Sequence, residues 1–313
     1  NEGSFSVLLP DAQLKIRDQS IEIGAIGLAG QKDADQGEYL LAGYLDHFEV
    51  NEAAVKALSM SEDVFGLAED QRRLLEQVSP RLRLGHVQWH FAPARVRESF
   101  TVLADFGNLE LSLAGAVPGL SGLKGLLQFG FGAVYLDFDA MNAQIHFGSL
   151  YDFPWSLDAI RGRIAYRSDE DGFALTSGKL IARVDGLVAE GKLHINLAQD
   201  RRLRTWGLVL GAENFDLDAV LPFIPNTVPK TATGWLNENL LAGRSSTTGL
   251  FVHGSLDRIS PKDEKQYGVQ IALENGVIQY DPDWPVASAT VGQIDVSNKG
   301  IFGEQLVTRL YET

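Results

Sequence analysis

The chain has 313 residues, enough for a large core or two domains, and its formal net charge is −14 at pH 7. This acidic balance opposes a broad phosphate-binding surface, so nucleic acid is not an expected partner. The absence of cysteine excludes disulfides and thiolate metal sites, and it leaves the cellular compartment open.

The N-terminal part of the chain predicts strands followed by two helices. From Asn1 the sequence runs directly into an alternating strand pattern, and a strand ends at residues 48–50. Helices are predicted at residues 51–58 and 68–78, where charged residues surround the apolar ones. Because the chain does not start with methionine and residues 311–313 carry no obvious stop, we expect it to be an internal fragment of a longer protein.

The stretch 109–136 is the nearest approach to a membrane-spanning segment. It is rich in glycine and is interrupted by Glu110, Pro118, Lys124 and Gln128. A transmembrane helix needs about 20 predominantly apolar residues without such interruptions. The stretch therefore favours β structure.

Alternation of apolar and polar residues, the two-residue period of half-buried strands, dominates the middle of the chain. Val134, Leu136 and Phe138 share one predicted face, while Asp137 and Asp139 share the other. The same pattern predicts one dry face in each of the segments 143–147, 160–166, 180–184, 193–197 and 206–212.

Turn-forming residues separate these runs at 168–172, 185–186, 190–191, 274–276 and 298–300. Their spacing, near ten residues, predicts antiparallel hairpins in sequence order. A second helical region is predicted at 218–224 and 233–241, with Thr231 or Thr233 as the cap. Helical signal is confined to this region and to the one before residue 79.

The chain matches itself at a spacing of 167 residues. The matched pairs are Phe48 with Phe215, Glu49 with Asp216, Val50 with Leu217, Phe100 with Tyr267, Val102 with Val269, Phe106 with Leu273, Asn108 with Asn275, Leu111 with Ile278, Pro118 with Pro285, Ser121 with Ser288 and Gly125 with Gly292. A period this long predicts whole supersecondary modules that stack on one another. We expect a first repeat at 1–170, with loop helices at about 51–78, and a truncated second repeat at 171–313, with loop helices at about 218–241.

The strand pattern predicts an all-β, antiparallel architecture. A sheet this long must close, stack or curl. A barrel or a two-sheet sandwich would hide its apolar faces against itself, whereas a curled gutter would expose a continuous apolar trough. All three give the same alternation, so periodicity does not choose between them.

Several motifs in order resemble the YhdP-type branch of the AsmA-like family, which is related to TamB. In the second copy they are FDLDAVLP at 215–222, WLNENLLAG at 235–243 and GVIQYDPDWP at 276–285. In the first copy they are SPRL at 79–82, VPGL at 117–120 with Gly125, and the segment 147–166 around FPW at 153–155. The resemblance covers most of the chain.

The resemblance implies a long curled antiparallel sheet, a repeating β-groove with short loop helices. It further implies a periplasmic part of a protein anchored in the inner membrane of a Gram-negative bacterium, which carries phospholipid toward the outer membrane and supports its lipid homeostasis and barrier. The expected partners are phospholipid acyl chains, with the two membranes reached through parts absent from this chain. No cofactor, no metal and no catalytic residue is expected.

The dry faces of the predicted strands then line the groove. The expected lining residues are Val102, Ala104, Phe106, Leu111, Leu113, Val134, Leu136, Phe138, Ile145, Phe147, Ile160, Ile164, Tyr166, Leu180, Val184, Leu193, Ile195, Leu208, Leu210, Val269, Ile271 and Leu273.

Two clusters suggest other chemistry. His86 and His90, four apart on a predicted strand, have no nearby third metal ligand, so a surface pair is favoured over a metal site. Asp281 and Asp283 suggest the paired carboxylates of a glycosidase. Prolines at 282 and 285 favour a turn there instead.

Two alternatives to lipid carriage stay open. One is a structural or adhesive β-solenoid with a closed core that acts through its polar face. The other is an extracytoplasmic carbohydrate-active enzyme that uses Asp281 or Asp283. The motifs that would support other enzyme classes, such as a P-loop or a Gly-x-Ser-x-Gly nucleophile, do not occur in the chain.

Overall fold

The computed structural model describes residues 4–16, 19–32, 37–59, 69–115, 117–130, 132–169, 172–219, 223–224, 226, 228, 230–256 and 266–310. It divides into two compact units. Unit 1 comprises Asn1–Gly148 and Pro154–Asp169. Unit 2 comprises Ser149–Phe153 and Glu170–Thr313.

Unit 1 is an antiparallel meander, in which each strand pairs with the next one along the chain. Its strands are β1 (Ser4–Ile16), β2 (Gln19–Lys32), β3 (Tyr39–Val50), β4 (Arg81–Phe91), β5 (Thr101–Leu111), β6 (Gly119–Gly130), β7 (Ala133–His146) and β8 (Trp155–Asp169). The stretch that came nearest to a membrane span falls on β5, β6 and β7, so its β character is confirmed.

Unit 2 is also antiparallel. Its strands are β9 (Gly172–Ser177), β10 (Leu180–Val184), β11 (Leu187–Ala198), β12 (Thr205–Asp216), β13 (Leu240–Ala242), β14 (Arg244–Ser255), β15 (Gln266–Ile278), β16 (Ala287–Ser297) and β17 (Gly300–Arg309). β9 and β10 pair with opposite ends of β11, and β12, β14, β15, β16 and β17 then follow side by side. The short β13 pairs with β15.

The described helices are α1 (Glu52–Ser59), α2 (Glu69–Val78), α3 (Val96–Ser99) and α4 (Lys230–Asn239). The Asn51 side chain caps α1 by accepting a hydrogen bond from the backbone N–H of Ala54 at 3.1 Å. α4 begins at Lys230, so the prediction that Thr231 or Thr233 caps it is wrong; the hydroxyl of Thr233 instead donates to the carbonyl of Lys230 within the first turn.

Helix α3 contradicts the expectation that helical signal is confined to two regions. It has four residues and follows a 3-10 turn at Pro93–Arg95. The hydroxyl of Ser99 bonds to the backbone carbonyl of Arg95 at 2.6 Å, which closes the turn locally. Four residues are too few to show a helical period, so alternation gave no sign of it.

Two predicted turns are confirmed and two are wrong. Turns occur at Asp185 and Gly186 and at Asn298 and Lys299. The predicted turn at 190–191 lies inside β11, and the one at 274–276 lies inside β15. The predicted turn at 168–172 includes residues 170–171, which lie outside the described part of the chain.

The residues 274–276, where a turn was wrongly predicted, coincide with an irregularity inside the continuous strand β15. The pairing of β15 with β16 shifts register between Leu273 and Gly276. β5 has an equivalent irregularity, since its pairing with β6 shifts between Phe106 and Leu109 around Asn108, whose φ is +51°. An extra residue of this kind reverses the parity of the alternation, so apolar residues on both sides of it stay on one face, and it bends the strand.

The fold class is all-β and antiparallel, as the alternation predicts, with few short helices. The buried residues concentrate beside the irregularities in the middle of the strands. In unit 1 they include Ala104, Phe106, Leu109, Leu123 and Phe138. A curled sheet whose strands bend at these points accounts for buried side chains on one face of a meander.

Candidate functional site

The cross-strand register defines an apolar face on unit 1. Residues directly opposite one another on paired strands point to the same side of a sheet. From β1 to β8 one row of such partners reads Val7, Leu28, Gly43, Trp89, Val102, Phe129, Val134 and Tyr166. Every member is apolar or a glycine except for the hydroxyl of the tyrosine. This row, with the residues beside it on the same side, is the apolar face of unit 1.

Gly43 in this row leaves space for the neighbouring indole ring. A Cβ at Gly43 would collide with the indole of Trp89, so the indole lies across the backbone of β3. The aromatic side chains continue from there: Trp89 contacts Phe91, Phe91 contacts Phe100, and Phe100 contacts Phe129, with ring centroids 5.8–6.0 Å apart. These rings, from β4, the residue before β5, and β6, make one continuous aromatic surface.

The structure brings most of the predicted lining residues of unit 1 onto this face. Val102, Val134 and Tyr166 belong to the row above, and Ala104, Leu136 and Ile164 belong to the next. Leu111 and Ile145 are both cross-strand partners of Leu120, while Phe138 is opposite Gly162 and Ile160 is opposite Ala140.

Two predicted residues of unit 1 lie outside the strands. Leu113 is 41% exposed in the connection between β5 and β6. Phe147 follows β7, and its ring packs edge-on against Trp155 at a centroid distance of 4.9 Å. Because Trp155 is the cross-strand partner of Ile145, Phe147 borders the apolar face, whereas Leu113 is not part of any strand row.

Exposure separates the predicted residues of unit 1 into two sets. Ala104, Phe106, Phe138 and Ile160 are buried, with at most 6% of each residue exposed. The other predicted strand residues are half-buried: Val102, Leu111, Val134, Leu136, Ile145, Ile164 and Tyr166. Only the half-buried set presents accessible apolar surface, so contact with a ligand is restricted to it in this conformation.

Helix α1 covers one end of the apolar face. Ala54 of α1 packs with Ile23 of β2, and Ala12, Leu45 and Phe48 border the pair. Both Ala54 and Ile23 are buried, at 1% and 6% exposed. The helix therefore closes this end of the face over β1, β2 and β3.

Unit 2 carries an apolar face of its own. One cross-strand row reads Leu180, Gly191, Leu210, Leu250, Val269, Val296 and Ile301. The remaining predicted residues lie on the same side: Leu193 is opposite Leu208, Ile195 is opposite Trp206, Ile271 is opposite Ile294, Leu273 is opposite Gly292, and Val184 is opposite Leu187.

Helix α4 converts part of this second face into a closed core. Leu236 of α4 is 2% exposed and packs in one cluster with Phe215, Ile271, Leu273 and Ile278. Leu180, Leu193, Ile195, Leu208, Leu210 and Val269 stay half-buried, while Val184, Ile271 and Leu273 are buried. Val269 packs against this cluster, so the half-buried aliphatic surface outside it is that of Leu180, Leu193, Ile195, Leu208 and Leu210.

Sequence reasoning missed several lining residues of the register rows. In unit 1 these include Val7, Leu28 and Trp89, and in unit 2 they include Leu250 and Val252. Alternation at Val87, Trp89 and Phe91 carried the signal for β4. Leu28 sits among small residues in a glycine-rich stretch, where alternation is weak, so only the register reveals its face.

The opposite face of unit 1 carries ion pairs. The Arg163 guanidinium donates two hydrogen bonds to Asp137, at 2.6 and 2.7 Å, and lies 5.8 Å from the Tyr135 ring centroid. The hydrogen bond and the charge of Asp137 raise the pKa of Arg163. This planar, bidentate geometry fixes the register of β7 and β8 on the solvated side.

The residues considered for other chemistry make hydrogen bonds to neighbouring groups. His86 bonds to Asp105 at 2.9 Å, whereas His90 bonds to the hydroxyl of Thr101, so the two imidazoles serve different partners. Asp281 accepts a hydrogen bond from the backbone N–H of Asp283 at 2.9 Å, which confirms the predicted turn. Within the described residues, no group of three or more histidine, aspartate or glutamate side chains is placed to hold a metal ion.

Comparison with known proteins identifies one family. A family described as YhdP protein matches residues 1–302. No curated protein and no solved structure matches the chain. Among the described residues, the helices are all too short or too polar to cross a membrane.

Proposed function

Because the chain belongs to the YhdP protein family, we propose that its apolar faces hold the acyl chains of phospholipid during transfer across the periplasm between the inner and outer membranes. Membership of the family indicates a bacterial envelope protein with a role of the lipid-transport type. The phospholipid cargo, the periplasmic location and the support of outer-membrane lipid homeostasis are the proposal. The domain division into two groove repeats belongs to the proposal as well.

The observation that carries the proposal is the apolar row across all eight strands of unit 1. Seven strand spacings of about 4.8 Å give it a length of about 34 Å, comparable to the hydrocarbon core of a bilayer. On β7 and β8 its members Val134 and Tyr166, like Leu136 and Ile164 in the next row, remain half-buried. They leave apolar surface for a hydrocarbon chain.

The energetics of such a surface suit carriage. Each CH₂ group removed from water contributes about 0.8 kcal/mol, so acyl chains bind without a specific polar contact. Neighbouring aliphatic sites of similar affinity also let a chain slide with small barriers. No reacting group is required, which fits a transfer role rather than an enzymatic one.

Native mass spectrometry with organic extraction tests this function on protein purified from a bacterial periplasm. Phospholipid is expected with the wild-type chain and is expected to be lost in the double variant Ile145→Asp, Ile164→Asp. Met141→Asp is the matched control, because Met141 is 63% exposed and lies on the opposite face. Phospholipid retained in the double variant would contradict the proposal.

A structural β-solenoid with a closed core is the second candidate. The cluster around Leu236 and Leu273 favours it, because both residues are only 2% exposed. A lipid-free and stable wild-type protein would support this candidate and direct attention to the polar surfaces.

A further inference from the structure

Unit 1 contains a cleft that is not on its apolar face. The cleft has a volume of about 1060 Å³. On each of six strands it touches three consecutive residues. The middle residue of each triplet is a member of the apolar row, and the two outer ones belong to the opposite face. Because two of the three side chains on each strand point to the opposite face, we infer that the cleft lies there. On β3, for example, the side chains of Ala42 and Tyr44 border it, and Gly43 contributes backbone between them.

The lining of this cleft is largely apolar although its face is otherwise charged, and the polar residues Ser6, Gln88, His90, Thr101 and Gln128 also contribute to it. Leu8, Tyr44 and Leu103 line it and are 60%, 43% and 41% exposed. Ala29 and Ala42 are cross-strand partners and form its floor. Large apolar side chains around a concave surface are the usual setting of a small-molecule site.

The width of the cleft suits one hydrocarbon chain. Ala29, Ala42 and Thr101 lie in one cross-strand row, whereas Leu8, Tyr44 and Leu103 lie in the next row on the same face. Rows on one face of a sheet are about 7 Å apart, twice the rise per residue. The channel over the small side chains is therefore about one row wide, beside the larger side chains of the next row, and takes a single aliphatic chain.

A positive charge stands at one end of the cleft. The row through Ala42 continues over Gly130 and Ala133 to Arg167 on β8. The Arg167 guanidinium donates to the hydroxyl of Tyr135, which lines the cleft, at 3.2 Å. Apart from histidine, Arg167 is the only acidic or basic residue among the described members of these two rows. Neither row contains a carboxylate among those members.

We propose that this cleft binds a single-chain amphiphile with an anionic end group, its chain along the floor at Ala29 and Ala42 and its anion at Arg167. The guanidinium supplies charge-assisted hydrogen bonds to a carboxylate or phosphate, while the apolar lining holds the chain. This site is independent of the phospholipid groove, because the two lie on opposite faces of one sheet.

Fluorescence titration with dansylundecanoic acid and with its methyl ester tests the site in the full chain. The acid and the ester share one chain, and only the acid carries charge. Arg167→Gln is expected to weaken binding of the acid about tenfold and to leave the ester unchanged. Lysophosphatidic acid, which carries a phosphate instead of a carboxylate, is expected to compete with the acid.

Ala42→Trp should abolish binding of both probes, because the indole fills the floor of the cleft. Ala42 is exposed, so the substitution is expected to leave the melting temperature and the circular dichroism of the chain unchanged. Met141→Trp places the same indole elsewhere on the opposite face and is expected to leave binding intact.

Three outcomes would overturn the assignment. The first is absence of binding to the wild-type chain. The second is binding that survives Ala42→Trp but is lost in Ile164→Asp, which would put the probe on the apolar face. The third is a concentration-dependent dimer that Ala42→Trp disrupts and that excludes the probe, which would make the cleft an interface between two copies.

Discussion

The apolar face of unit 2 beneath α4 and the apolar face of unit 1 on β7 and β8 come from the same alternation but reach different states. Leu273 is 2% exposed under the helix, whereas Leu136 and Ile164 remain half-buried. The difference lies in what covers each face, since Leu236 of α4 fills the space over Leu273. Alternation specifies a face, and the covering element decides whether that face becomes core or lining.

The largest effect is expected where a charge enters the covered region. Leu273→Asp buries an unpaired carboxylate among aliphatic side chains and should lower the free energy of unfolding by about 4 kcal/mol or more. Ile164→Asp should lower it by about 1 kcal/mol, because its side chain still reaches water. Chemical denaturation followed by circular dichroism measures both.

Val209→Asp is the matched control for the charge itself, because Val209 is 58% exposed on β12. It should change the free energy of unfolding by no more than about 0.5 kcal/mol. Equal destabilisation by Leu273→Asp and Ile164→Asp would abolish the distinction between covered and open faces, and would make both faces core.

A smaller effect is expected when the covering helix loses its central side chain. Leu236→Ala removes buried aliphatic volume and leaves a cavity, at a cost of about 3 kcal/mol in the free energy of unfolding. Leu241→Ala, in β13 directly after α4, is the control, since Leu241 is 54% exposed. If the two variants unfold at the same denaturant concentration, α4 does not pack as a cover.

Replacing Tyr151 in unit 2 is expected to give the smallest change in the free energy of unfolding near neutral pH. Its burial also makes the stability of the chain depend on pH. Its hydroxyl donates to the carbonyl of Phe223 at 3.1 Å, and Tyr151→Phe should cost about 1 kcal/mol at pH 7. Burial raises the pKa of Tyr151 above the usual range of a phenol. The folded state therefore keeps this proton at pH values where the unfolded chain has lost it.

The direction of the pH effect follows from that proton. Below about pH 10 both states hold it, and the contribution of Tyr151 is constant. Above about pH 10 the unfolded state ionises first, so the wild-type chain should lose stability more steeply than Tyr151→Phe. Thermal melts of both proteins between about pH 8 and about pH 11 give the slope of melting temperature against pH for each. Parallel slopes would show that Tyr151 is accessible.

The sequence predicted the strands and faces well because the alternation is strong and its interruptions are informative. Ala104 and Phe106 have one parity and Leu109 and Leu111 the other, and the change falls at Asn108, where φ is +51°. Asparagine tolerates this left-handed conformation better than most side chains. A parity change at an asparagine inside an apolar run thus indicates a bulge.

The same residue types led to a wrong prediction where a bulge and a turn have similar composition. The residues at 274–276 combine acidic, asparagine and glycine side chains, as hairpin turns do, yet they lie inside β15. Whether such a segment reverses the chain depends on pairing with β16, which local composition does not contain. The cleft on the opposite face of unit 1 could not be predicted from the sequence either. Leu8, Tyr44 and Leu103 are distant in sequence and come together only through the strand register.

Site-specific photocrosslinking in living bacteria tests the central claim most directly. Ile164→benzoylphenylalanine places the photoreactive group on the open apolar face of unit 1, and Arg161→benzoylphenylalanine places it on the exposed opposite face of the same strand. Phospholipid adducts are expected at position 164 and none at position 161. Adducts at neither position, or at both equally, would contradict a lipid-lining role for the apolar face.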